Sequence, residues 1–307
     1  MFMQYNKDFG IANSFQVETN KIGYIKSFRI KHGEFFVPST GTSISNKKKL
    51  CILKAYNEFL ERFRLGIGSK EITYGKNNDY GMIDTTGTAS GNNSENIIKK
   101  ANLELIEKNE LYLFWYTNSS EYVLLPHTSE IKSLIKKLNF QGERHLIFYM
   151  KNISNAHTIL SVSFKEGILT GCGISGDLNF KKALKSSILE NKLIEWENYQ
   201  NPNSDLYHHS INEKEQIQFF FNEKIKETRP LIINNESSED EDIIYKDWID
   251  TPQIILLNTQ NSSFKTIKLI SNSLLNCIPN NYNLNNCLNQ KIIELFPPTH
   301  NFNCLLV

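Results

Sequence analysis

The sequence predicts an α+β fold, with mixed and antiparallel sheets packed against helices in a single large domain. Short apolar runs occur in pairs separated by turn residues, at 22–40 and 145–164, as hairpins require. Longer segments with helical spacing stand between them. Strands and helices do not alternate regularly, as they would in a parallel βαβ sheet. At 307 residues the chain fits one large domain or two, at ~100–200 residues each. We read it as one, residues 1–307, with N-terminal strands at 1–40, a core at 41–200 and a C-terminal part at 201–307 that carries a Pro-containing tail.

The first strand holds Ile22, Tyr24, Ile25, Phe28 and Ile30, and after the Lys31-His32-Gly33 turn its partner holds Phe35, Phe36 and Val37. A helix is expected from about Asn46 to Arg64. Leu53, Tyr56, Leu60 and Phe63 share its apolar face, and Lys54, Glu58, Glu61 and Arg62 lie opposite, as on a solvated face. A polar loop through Asn77-Asn78 leads to a glycine-bearing loop, Gly87-Thr-Ala-Ser-Gly91, which feeds a second helix. Asn92 and Glu95 have the spacing of a capping box at its start. Residues 111–116 either extend this helix or begin a strand.

A helix at 129–138 precedes strands at 145–150 and 158–164 with a turn at Asn155. A second glycine loop, Gly171 to Asp177, opens a helix at 178–198 with Asp177 placed as its cap. Ala183, Leu184, Ile188 and Ile194 form its core side, and Glu190 shares another stripe with Ser186 and Glu197. A helix at 205–223, an acidic solvated loop at 236–242, a strand at 253–257, a helix at 264–275 and an Asn-rich connection complete the chain. The adjacent His208 and His209 point different ways on a helix and read as structural.

Composition excludes several function classes. With 34 basic and 33 acidic residues, the chain lacks the basic excess of a nucleic-acid binder. No apolar run approaches the ~20 residues of a membrane helix, and the N-terminus lacks signal-peptide features, so a cytoplasmic location is expected. Five cysteines form no CxxC, which argues against a zinc ribbon or a redox pair and for reduced thiols.

The second helix carries the most informative chemistry. Glu104 and Glu107 lie three residues apart and so on one side, while Ile97, Ile98, Ala101, Leu103, Leu105 and Ile106 spread over much of the remaining circumference. Such a helix is largely buried, and burying a carboxylate costs several kcal/mol unless a cation or donor compensates. A bound metal is one solution. Simple pairing with Lys100 and Lys108 at helical spacing is the other. Both glycine loops offer backbone N–H groups to phosphate, yet neither matches a P-loop or a dinucleotide fingerprint.

Glu58-Phe-Leu-Glu61-Arg62, then Gly87-Thr-Ala-Ser-Gly-Asn92 with Leu103-Glu-Leu-Ile-Glu107-Lys108, then Gly171-Cys-Gly173 with Glu190, form an ordered set. It resembles the YcaO family from about Gly41 to Glu190 and more weakly beyond residue 200. The resemblance implies an ATP-dependent enzyme acting on peptide backbone amides, with 41–200 as its nucleotide-binding core. ATP would be held through Mg2+ by Glu58, Glu61, Glu104, Glu107 and Glu190, with Arg62 and Lys108 completing the ATP site.

In the commonest chemistry of the family, a Cys, Ser or Thr side chain of a ribosomally made precursor peptide attacks the preceding carbonyl carbon. ATP phosphorylates the resulting oxyanion, and loss of phosphate leaves a thiazoline or oxazoline, as in bacteriocin and thiopeptide pathways. Family members of this kind often end in a Pro-rich tail implicated in catalysis. Pro297-Pro-Thr-His-Asn-Phe302 matches it in part, which makes His300 the candidate catalytic residue.

Four positions depart from the family pattern. Lys54 stands where a Ser is usual, Lys108 where Arg is usual, Leu193 where Gln is usual and Ser186 where Arg is usual. The third motif is thus altered, which keeps a non-catalytic subunit in view; a separate alternative keeps the ATP chemistry but uses an external nucleophile, for thioamide or amidine formation. The implied partners are the precursor peptide, a separate leader-peptide-binding protein, a dehydrogenase and a second copy in a homodimer.

Overall fold

The computed structural model describes residues 10–11, 16–19, 23–31, 40–45, 47–67, 82–200, 210–228, 242–257, 264–285, 291–300, 302–304 and 306. Three sheets and seven helices are present among them. β1 (Gly10–Ile11), β2 (Gln16–Thr19), β3 (Gly23–Lys31) and β4 (Thr40–Ser45) form the first sheet, with β3 paired to the other three. The expected partner strand at 35–37 lies outside the described residues, as do Asn77-Asn78, the His208-His209 pair and most of the acidic 236–242 run.

α1 (Lys48–Ile67) follows β4 directly and packs on it. Gly41 permits the contact, since a Cβ there would stand 2.1 Å from the Ala55 carbonyl oxygen and 2.4 Å from the Phe59 nitrogen. β5 (Thr88–Gly91) then leads into α2 (Ser94–Tyr116), whose N-cap is Asn93, with its side chain accepting from Asn96 N. The cap therefore sits one residue beyond the expected Asn92. Residues 111–116 continue the helix, and its last eight residues are buried on every side, which is why no clean apolar stripe marks them.

The central sheet runs β6 (Tyr122–Leu124), β7 (Arg144–Met150), β8 (His157–Lys165), β9 (Ile168–Asp177), all antiparallel. Alternation along β7 separates its two faces. Leu146, Phe148 and Met150 join α2 and α5 (Ile211–Glu227) in one core. Ile147 and Tyr149 join α3 (Ser129–Leu138) and α4 (Phe180–Gln200) in another. The sheet is thus sandwiched between two helical layers, and among the described residues β6 and β9 are its two edges.

Three expectations are corrected, the first being that Thr88–Gly91 of the glycine-bearing loop form β5, paired with β11, rather than a loop. Gly171 to Asp177 is the second half of β9 rather than a loop that opens a helix, and Asn179, not Asp177, caps α4 by accepting from Lys182 N. The glycines of β9 admit α4, as a Cβ on Gly173 would meet Asn191 N and Ser187 O at 2.3 Å each. Residues 264–275 hold β11 (Lys265–Ile270) instead of a helix; it pairs with β10 (Gln253–Leu257) on one side and β5 on the other. Burial of Thr266, Ile267, Leu269 and Ile270 in the middle of a three-stranded sheet outweighs the helix-like spacing. α6 (Asn281–Asn285) and α7 (Lys291–Leu295) precede the tail. Among the described residues no helix is long and apolar enough to cross a membrane.

Candidate active site

Among the described residues, β4, β5 and β9 are each the last strand of their sheets on one side, so each presents a row of backbone N–H groups without sheet partners there. The helices α1, α2 and α4 pack against these edges and place glutamates there. Thr42 N of β4 donates to Glu58 Oε2 at 2.8 Å, and Ser90 N of β5 donates to Glu61 Oε1 at 2.9 Å. Gly176 N and Ile174 N of β9 donate to Glu107 Oε2 at 2.8 Å and Glu190 Oε2 at 3.0 Å. Four carboxylates from three helices are therefore oriented by three strands. A single backbone N–H fixes one oxygen of each, and Arg62 takes the second oxygen of Glu58.

Glu104 is the exception. Its Oε2 is buried and has no hydrogen-bond partner among the described residues. Burial first, and then the Glu61 carboxylate, push the Glu104 carboxyl up to about 8, against the pull of Lys100, Lys108 and Lys268. Burial likewise raises Glu107 well above the usual carboxylate range, with Lys108 opposing and Glu190 and Glu104 reinforcing it. Glu190 is raised to about 7 by burial, with Lys108 opposing. These groups lie close enough to repel one another.

The cations are arranged unevenly. Arg62 Nη2 bridges Glu58 Oε1 at 2.7 Å, one helical turn away. Lys100 reaches across from α2 to Glu61 Oε1 at 2.6 Å. Although burial opposes it, Glu61, Glu104 and Glu58 raise the Lys100 pKa to about 12. Lys108 lies among Glu107, Glu190 and Glu104, which hold its ammonium charged despite burial. Simple helical pairing thus fails as the explanation of Glu104, because Lys100 bonds to another helix.

The sequence expectations for Glu58, Glu61, Arg62, Glu104, Glu107, Lys108 and Glu190 fall in this one region. The solvated-face reading of α1 does not hold for Glu61, which is buried. Three neighbours were not expected. Glu197 shares Thr42 with Glu58 and feels Arg62, and its place beside Glu190 on one stripe of α4 was the available signal. Lys100 was visible only as a helical partner of Glu104. Lys268, wholly buried on β11, donates to the carbonyls of Thr86 and Asn276 and faces Glu104 and Asp84. The helix expected at 264–275 hid it.

His300 is not brought to the carboxylates. Its Nε2 donates to the Trp115 carbonyl at 2.6 Å, and its ring stacks on Phe302 with centroids 3.8 Å apart. Trp115 lies eight residues beyond Glu107, about 12 Å along the helix axis at ~1.5 Å per residue. Farther along, the tail does approach the site, where Cys172 Sγ donates to the Leu306 carbonyl at 2.9 Å. The other side of α2 lines a separate groove of about 1030 Å³ with Ile98, Asn102, Tyr245 and Lys246.

The residues present fit Mg2+ with a polyphosphate. No three His, Cys, Asp or Glu side chains among the described residues close on one point as ligands of a single ion. Mg2+ asks for no such cage, since it is commonly held by one or two carboxylates plus phosphate oxygens and water. An unpartnered buried oxygen on Glu104, and repelling carboxylates raised by burial, are what a divalent cation would relieve.

Three solved structures are among those that share the fold. YcaO from Methanopyrus kandleri, bound with AMPPCP and Mg2+, superposes with a TM-score of 0.67 at 10% identity, over 87% of this chain and 87% of that one. The E. coli microcin synthetase McbBCD complex gives 0.59 at 13% identity, over 89% and 92%. A heterocyclase in complex with substrate and cofactor gives 0.60 at 11% identity, over 88% of this chain and 50% of that one. At such identities these likenesses speak to the fold alone. No curated protein sequence matches the chain. Residues 72–243, more than half of the 307, match the family model for YcaO cyclodehydratase, ATP- and Mg2+-binding. The chain belongs to the YcaO cyclodehydratase family, whose cofactors are ATP and Mg2+.

Proposed function

We propose that the chain is an ATP-dependent cyclodehydratase that converts Cys, Ser or Thr residues of a ribosomally made precursor peptide to thiazoline or oxazoline, in a bacteriocin- or thiopeptide-like pathway. The observation that carries this reading is the set of glutamates oriented by the N–H groups of three sheet edges around the unpartnered Glu104 oxygen. Glu58, Glu61, Glu104, Glu107 and Glu190 would hold Mg2+, and Arg62 and Lys108 would neutralise phosphate oxygens. ATP supplies the activation that turns an amide oxygen into a leaving group. The chain's own contribution is to position the reactants and offset charge.

The precursor peptide would enter with a separate leader-peptide-binding partner. A dehydrogenase and a second copy of the chain are further proposed partners, and the setting is the cytoplasm. His300, stacked at the far end of α2, would act on the tail's conformation rather than on substrate.

A second reading, a non-catalytic subunit, is favoured by one observation. Leu193 packs in an apolar cluster with Ala183 and Ile188, and Ser186 is exposed, so neither offers a nucleotide contact. Incubation with precursor peptide, leader-binding partner and Mg-ATP separates the readings. The cyclodehydratase removes one water mass per ring, and a thioamide- or amidine-forming enzyme gives a different product mass. Unchanged peptide under every combination of partners would leave the subunit reading standing.

A further inference from the structure

Lys100 holds an unusual place for a helix lysine. Its Nζ lies 2.6 Å from Glu61 Oε1, the oxygen that Ser90 N also holds at 2.9 Å. The two partners differ sharply in freedom. The Glu61 side chain is 8% exposed and tied to β5, whereas the Lys100 side chain is 52% exposed. The ammonium has three donors, and Glu61 is its sole hydrogen-bond partner among the described residues. One helical turn further along α2, Glu104 keeps an oxygen buried and unpartnered.

We propose that Lys100 is a tethered stand-in for the metal, occupying the Glu61 carboxylate in the nucleotide-free protein and leaving it when a divalent cation binds. The inference rests on the nucleotide reading given above. Mg2+ binds carboxylate oxygens at about 2.0–2.1 Å, so an ammonium at hydrogen-bond distance from the same oxygen would repel it and block its approach. Glu61 cannot retreat, because Ser90 holds it. Lys100 can, because its long side chain is anchored only through the ammonium, which is drawn in among the carboxylates, while half of the side chain's surface is exposed. The displaced ammonium then needs a new anionic partner, and the phosphates of a nucleotide supply one. Metal alone binds weakly, and metal with nucleotide binds well, so metal uptake is coupled to nucleotide.

Mn2+ is the probe, titrated into the nucleotide-free chain and followed by the free-ion electron paramagnetic resonance signal. Lys100→Met should tighten Mn2+ binding by about tenfold or more, since one ammonium in contact with a ligand oxygen is removed. Lys100→Arg should remain as weak as wild type. Lys54→Met, which removes a nearby ammonium that does not contact Glu61, should change affinity by much less. With ATP present the gap between wild type and Lys100→Met should close.

Equal Mn2+ affinity in wild type and Lys100→Met, or an equal gain from Lys54→Met, overturns the stand-in while leaving Mn-ATP binding intact. No Mn2+ binding by any variant, with or without ATP, overturns the nucleotide reading as well. Unaltered melting of Lys100→Met, whose side chain is half exposed, shows that the fold is kept.

Discussion

Replacing Gly173 by Ala tests whether the glycines of β9 serve packing or phosphate. The added Cβ would stand 2.3 Å from both Asn191 N and Ser187 O and 2.9 Å from the Glu190 carbonyl carbon. Ordinary contact begins near 3.4 Å, so α4 must retreat by about 1.1 Å at its closest approach. Overpacking of this kind costs about 1–3 kcal/mol. In a chain this size each kcal/mol lowers the melting temperature by about 2–4 °C. The same retreat stretches the 3.0 Å bond from Ile174 N to Glu190 beyond hydrogen-bonding range. Misplacing a functional group by ~1 Å costs on the order of 100-fold in rate. Differential scanning fluorimetry with and without Mg-ATP, beside a peptide-modification assay, reads both effects. Gly176→Ala is the contrast, since its Cβ would approach nothing nearer than the Leu103 oxygen at 3.2 Å. Wild-type melting together with wild-type Mg-ATP affinity in Gly173→Ala would refute the packing argument. Lost affinity at unchanged stability would instead favour a phosphate-binding role.

Three further outcomes follow from the site. Glu104→Gln removes a carboxylate that is buried beside Glu61, so the nucleotide-free chain should melt higher while Mg-ATP affinity falls, both measurable on one thermal-shift plate. Glu104 and Glu190, raised to about 8 and about 7 from the usual 4.5, make the folded chain bind more protons than the unfolded chain between these values. Their contribution to the stability of the nucleotide-free chain therefore declines as pH rises from about 4.5 to about 8, and Mg-ATP binding near pH 7 should release protons, visible by calorimetry in buffers of different ionisation enthalpy. His300→Ala should cost about 1 kcal/mol of stability through the lost stack on Phe302 and leave Mg-ATP affinity unchanged; a selective loss of nucleotide binding would contradict its placement.

Much of this architecture was legible in side-chain spacing. The helix at 129–138 and the hairpin of β7 and β8 stand where their periodicity put them, because each buries one distinct face. The buried character of α2 followed from apolar residues around its circumference. Segments 87–91 and 171–177 read as loops from sequence, although the structure places Thr88–Gly91 in β5 and 171–177 in β9, because glycine serves two needs that composition does not separate. A loop that wraps a phosphate and a strand that admits a helix both require a missing Cβ. β11 was misread because Phe264 to Leu275 offers apolar residues at helical spacing, and only its pairing between β5 and β10 decides for a strand.

At the site, the acidic residues could be picked from sequence, but not what orients them. The donors are backbone N–H groups of Thr42, Ser90, Ile174 and Gly176, which carry no side-chain signature. Sheet-edge status is a property of topology, and so is the meeting of three edges. The tail shows the converse. His300 was selected by its neighbourhood in sequence to two prolines, while its position is decided by an aromatic cluster at the end of α2.

The central claim is that the edge-oriented glutamates hold Mg2+ and ATP together. Isothermal titration of ATP into wild type, Glu104→Ala and Glu107→Ala, each with Mg2+ and with excess chelator, tests it most directly. The account requires saturable binding by wild type that vanishes with chelator and in both variants. Binding that survives the variants, or that is indifferent to Mg2+, would contradict it.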